Sequence, residues 1–170
     1  MGDPRDEKIV EWQLGRKITN MRRVVFRCPH GYPVVIESFP IKDGKPFPTL
    51  YWLTCPHLRK EVSKLESQGY VKEFEEKLER EGKLREKMKK AHVEIIKKRA
   101  ELLPEDHPFR EILSKVGTGG IKDFTKLKCL HLHLADYLAG VKNPVGEMVW
   151  DLVERKFCEE KLCRAGEARE

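Results

Sequence analysis

Val24-Val25-Phe26-Arg27-Cys28-Pro29-His30-Gly31-Tyr32-Pro33-Val34-Val35-Ile36-Glu37-Ser38-Phe39 is the stretch on which the fold turns. Two β-branched and aromatic runs flank Pro29-His30-Gly31-Tyr32, which predicts an antiparallel hairpin with Cys28 and His30 at its turn. Downstream, Leu50-Tyr51-Trp52-Leu53-Thr54 reads as a third short strand. The intervening Pro40 to Thr49 carries three prolines and a glycine and reads as a loop without regular structure. The third strand delivers Cys55 to the start of a helix that opens at Pro56. A cysteine at a helix N-terminus is expected to have a lowered pKa.

Beyond the strands the pattern becomes helical. Leu58, Val62 and Leu65 recur at i, i+4 and i+7, Gly69 stops that helix, and Val71, Phe74 and Leu78 begin another. A sparse apolar stripe through Leu84, Met88, His92, Ile95, Ile96 and Leu103 continues to Pro104, so residues 57–103 read as a helical arm or hairpin. Phe109 to Val116 is a short helix closed by Gly117-Thr118-Gly119-Gly120, whose spacing lacks the Gly-Lys-Ser/Thr ending of a phosphate loop; a connector is the plainer reading. Asn143-Pro144 opens a last helix through Phe157, and residues 5–20 suggest a first one. The whole is expected to be α+β: a small three-stranded antiparallel sheet near the N-terminus packed with a mainly helical remainder, in a single domain spanning 1–170.

The chain has 34 lysines and arginines against 28 acidic residues, a net charge of +6. The two signs are interleaved, so the surface is mildly basic, and nucleic acid is permitted without being implied. No apolar run reaches the roughly 18–20 residues that span a bilayer, and the N-terminus lacks a secretory apolar core, which points to a cytoplasmic protein with no membrane role. In a reducing compartment its five cysteines read as metal ligands or reactive thiols rather than as a disulfide framework.

Chemistry-bearing residues crowd into Lys128-Cys129-Leu130-His131-Leu132-His133-Leu134-Ala135-Asp136. On a helix, Cys129, His133 and Asp136 would share one face while His131 points elsewhere. The Cys28-Pro29-His30 and Cys55-Pro56-His57 stretches repeat the same residue types in a non-helical setting, and the fold is expected to gather the three. Cys158 and Cys163 lie in a charged tail with no histidine beside them and are expected to tolerate serine.

Arg27 to Val35, Phe47 to Pro56, Lys128 to His131 and Asn143 to Gly146 together resemble the bacterial domain-of-unknown-function 501 family, over about residues 16–146. The resemblance implies no function. It places Cys28, Cys55, Cys129 and His131 on the family's motif cysteines and histidine, and His92 on an Ala-His pair, whereas His30 and Asp136 depart from the pattern. Three cysteines and one histidine are a zinc-type ligand set, and iron would also accept them. The reading is therefore a Cys28/Cys55/Cys129/His131 metal site, with a metal- or thiol-dependent hydrolase activity in which His92, His133 or Asp136 is the candidate acid or base. Two others stay open: thiol chemistry without metal, and cysteines that are only small buried hydrophobes. The competing class is a nucleic-acid or protein binding module whose Cys/His residues merely brace the fold.

Overall fold

The computed structural model describes residues 2–167 and is α+β, as the sequence predicts. Strands β1 (Met21–Arg27), β2 (Pro33–Ser38) and β5 (Tyr51–Leu53) form an antiparallel sheet in the order β1-β2-β5. Arg23 pairs with Glu37 and Val24 with Ile36 across the hairpin; Ile36 and Glu37 then pair with Trp52 and Tyr51. At the turn, Gly31 takes a left-handed φ of 86°, and the Cys28 N–H donates to the Tyr32 carbonyl at 3.0 Å. All six residues of β2 are buried, because both faces of the central strand are covered. Val34 and Val35 enter the main apolar core, and Ile36 packs with Val10 of helix α1 (Pro4–Leu14).

The loop expected over 40–49 contains a tiny second hairpin, β3 (Ile41–Lys42) and β4 (Lys45–Pro46). Asp43 and Gly44 turn it with φ of 52° and 73°, the paired left-handed conformation that Asp-Gly favours in two-residue hairpins. The prolines therefore did not exclude pairing; they confined it to two residues on each side.

Helices α2 (Pro56–Ser67), α3 (Tyr70–Arg80) and α4 (Gly82–Glu101) occupy the stretch read as an arm. Leu58, Val62, Phe74, Leu78, Met88 and Ile95 all join the main core with Val35, Leu130 and Val149, so these helices are packed against the body. Two further short helices, α5 (Pro108–Ser114) and α6 (Leu130–Leu138), precede α7 (Pro144–Leu152), and α8 (Arg164–Glu167) ends the described chain. Asn143 caps α7 by accepting from Gly146 N–H at 2.9 Å. The last long helix stops at Leu152, not Phe157, and the chain then runs irregularly to Cys163.

Gly146 sets the distance between α6 and α7. A Cβ there would lie 2.2 Å from the His133 carbonyl oxygen and 2.6 Å from Tyr137 Cβ. Gly146→Ala is accordingly expected to destabilise the protein by about 2 kcal/mol, the ordinary cost of overpacking. Urea unfolding measures it; a loss below about 0.5 kcal/mol would mean that the helices separate without strain.

Candidate metal centre

The last turn of α2 meets the start of α6. Arg59, Ser63 and Glu66 recur at i, i+4 and i+7 on α2, and each reaches His131. Glu66 Oε2 lies 3.2 Å from His131 Nδ1 and accepts from Leu130 N–H at 2.7 Å. On the other side of the ring, Nε2 lies 3.0 Å from the Arg59 carbonyl oxygen and 3.2 Å from Ser63 Oγ.

Cys129 is the N-cap of α6, with extended backbone at φ −157° and ψ 165°. Being outside the helix, it does not share a face with His133 and Asp136 as a helical reading of 129–136 would have it. It turns instead to His131. Lys128, immediately before it, adopts a left-handed φ of 68°, which for a lysine costs about 1–2 kcal/mol and redirects the chain into α6. Its ammonium donates to the Gly119 carbonyl at 3.1 Å.

Ligand atoms of Glu66, Cys129 and His131 all lie within 4.8 Å of one another, and all three residues are half-buried. Cys129 and His131 also line a cleft of about 590 Å³ whose walls include Trp52, Arg59, Lys60 and Lys128. Burial opposes a charge on His131, but its contacts with Cys129, the Arg59 carbonyl and Glu66 outweigh that penalty and hold its pKa above the ordinary value.

Of the four ligands proposed from sequence, the structure brings Cys129 and His131 together and leaves Cys28 and Cys55 out of their cluster. Cys55 does cap α2, but it lies in the main core, and burial pushes its thiol up to about 11 against the weaker pull of the helix N–H groups. The lowered pKa expected from its position at a helix start is therefore overturned by desolvation. Cys28 packs partly buried beside Cys163. Cys163 itself is only 5% exposed and accepts from Gln13 Nε2 at 3.2 Å, so the picture of two cysteines on a solvated tail fails for it.

The acid-base candidates form an interior layer, and none of the three lines the cleft. His133 Nε2 donates to the Leu127 carbonyl at 2.8 Å and Nδ1 accepts from Asn143 at 3.0 Å, so both ring nitrogens are committed. Desolvation lowers its pKa to about 4. His92 Nδ1 accepts from Thr118 N–H at 3.1 Å, the ring stacks on Phe124, and burial with neighbouring His133 and Arg99 lowers its pKa to about 3. Desolvation raises Asp136 to about 8 in spite of nearby Thr118 and Arg99, and among the described residues neither carboxyl oxygen has a hydrogen-bond partner. A general base must come within reach of the substrate proton, and fully buried side chains off the cleft do not.

The sequence does not single out Glu66, since a glutamate on a highly charged helix looks like part of a solvated face. The Ser63/Glu66 pair, one turn apart on α2, is the available signal; Arg59 contributes a backbone carbonyl, which its side chain does not announce. Among the described residues no helix is long and apolar enough to cross a membrane. No curated protein and no solved structure matches the chain significantly. The family model described as protein of unknown function (DUF501) matches residues 24–151, most of the chain, and the protein belongs to that family.

Proposed function

We propose that Glu66, Cys129 and His131 hold a single zinc ion at the wall of the cleft and that the protein is a metal-dependent hydrolase of a small anionic substrate. The commitment of His131 Nε2 to the Arg59 carbonyl at 3.0 Å carries this reading. A metal-binding histidine characteristically gives its other N–H to a backbone carbonyl or carboxylate, which fixes the tautomer. The Nδ1 lone pair of that tautomer then faces the Glu66 carboxylate at 3.2 Å. Two acceptors at that distance require a cation between them, a proton or a metal.

A catalytic nucleophile–base–orienter triad would place thiol and carboxylate on opposite ring nitrogens. Here Nε2 is occupied by Arg59 and Ser63 and Nδ1 faces Glu66, which favours coordination over a thiol–imidazole relay. Three protein ligands are the number that leaves zinc a position for water, and zinc when bound brings the pKa of that water toward about 7. Arg59, Lys60 and Lys128 supply the positive lining that draws an anion into the cleft.

Purified protein is expected to take up one zinc at this site, with Glu66→Gln and His131→Ala each weakening it by tenfold or more in calorimetric titration. Hydrolysis of simple phosphate esters should disappear with a chelator and return with zinc. Affinity unchanged in His131→Ala would remove the reading.

A further inference from the structure

The two Cys-Pro-His stretches do something together that neither the cleft nor the metal proposal uses. His30 Nε2 lies 2.9 Å from the Cys158 carbonyl oxygen, and His57 Nε2 lies 2.6 Å from the Arg155 carbonyl oxygen. Both histidines thus clamp the irregular segment after α7, one against the hairpin turn that carries Cys28 and the other against the helix start that carries Cys55. Gln13 completes the clamp by donating to both the Pro33 carbonyl, at 2.8 Å, and Cys163 Sγ, at 3.2 Å. Cys163 and Cys28 pack in one small apolar cluster with Ile9, Trp12 and Tyr32, and Cys28 also touches the main core that contains Cys55. The four thiols are near enough to influence one another: Cys158 and Cys163 both act on Cys55, and Cys28 and Cys158 both act on Cys163.

Four cysteines from three separate segments are thus gathered by three side-chain clamps, and all four are free. We propose that Cys28, Cys55, Cys158 and Cys163 are the four thiolate ligands of an iron–sulfur cluster. The spacing decides against a lone zinc ion. With Zn–S bonds of about 2.3 Å, tetrahedral geometry puts sulfurs about 3.8 Å apart. Among the described residues, Glu66, Cys129 and His131 are the group of metal-ligating atoms that all lie within 4.8 Å of one another, so no three of these four thiols do. A wider set suits a polynuclear cluster, in which each cysteine holds a different iron and inorganic sulfide fills the centre. Cysteine binds iron as the thiolate, so assembly of the cluster displaces the four thiol protons.

Full-length protein, purified without oxygen and incubated with ferric iron, sulfide and excess thiol, which reduces the part of the iron that the cluster holds as ferrous, tests this. Iron and acid-labile sulfide are expected in near-equal amounts, with broad visible absorption and a paramagnetic signal in one redox state. Cys158→Ser, at a partly exposed position outside any helix, should lose or shift that signal while its circular dichroism stays native. Cys129→Ser should keep it. One zinc per chain on this quartet without sulfide, two disulfides in the protein as isolated, or an identical cluster signal in Cys158→Ser would each overturn the proposal.

Discussion

Arg99→Met is expected to cost the protein about 3–5 kcal/mol, and to lower its melting temperature by roughly 10 °C. Arg99 lies on α4 and is fully buried. Its two terminal nitrogens donate to four carbonyls: Pro48 at 2.8 Å, Gly117 and Leu113 at 2.9 Å, and Val116. One planar fork thereby satisfies the chain ends at α5, the glycine turn and the loop before β5. Two effects compete in the variant. Burial pulls the guanidinium pKa down to about 10, so removing the charge recovers about 3 kcal/mol. Against that, four buried carbonyls lose charge-assisted partners at about 1–3 kcal/mol each. The second is larger. Arg99→Lys should rescue little, because a point charge cannot span four acceptors. A loss of less than about 1 kcal/mol in denaturant unfolding would show that the carbonyls find other partners.

Stability is expected to peak near pH 6.5 and to fall on both sides, for reasons that separate by residue. Asp136 binds its proton more tightly folded than unfolded, with the pKa raised from 3.8 to about 8. Its contribution is complete below the unfolded value and is lost as pH climbs through the folded one. His92 and His133 are opposite, lowered from 6.5 to about 3 and about 4, so the unfolded chain gains protons first as the solution is acidified. Their contribution is complete above pH 6.5 and is lost toward pH 4 and then pH 3. In the acid range two histidines outweigh one carboxyl; above pH 6.5 Asp136 acts together with His131, whose pKa is held above its ordinary value and whose contribution is likewise lost as pH rises. Asp136 alone should remove about 2 kcal/mol by pH 8. Asp136→Asn, a neutral isostere of the protonated acid, should remove most of the alkaline limb, leaving the smaller part due to His131, and should leave the acid limb in place. An alkaline fall undiminished in Asp136→Asn would assign the buried proton to another group.

These residues also show where sequence reading succeeds and where it stops. The hairpin was legible because period-two β-branched residues flank a short turn, and the α7 start because Asn143-Pro144 is a local cap. Such signals live within a few residues of the feature they specify. Cys163 is not on a solvated tail because its burial is decided at long range, by Gln13 and the His30 and His57 contacts to the same segment, while the local neighbours Glu159, Glu160 and Lys161 look solvated. A helical reading of 129–136 puts Cys129 on the face of His133 and Asp136, but one residue decides between helix and N-cap, and the direction of the Cys129 side chain follows from it. His92, His133 and Asp136 have the residue types of catalysis but the surroundings of a core, and composition alone does not separate the two.

The claim that Glu66, Cys129 and His131 form one metal centre is tested most directly by diffraction from crystals soaked in zinc, with data collected on either side of the zinc absorption edge. The account predicts an anomalous peak within about 2.0–2.3 Å of Glu66 Oε2, Cys129 Sγ and His131 Nδ1, with a water on the side of the cleft. No peak there at millimolar zinc, or a peak that leaves Cys129 or Glu66 uncoordinated, would contradict it.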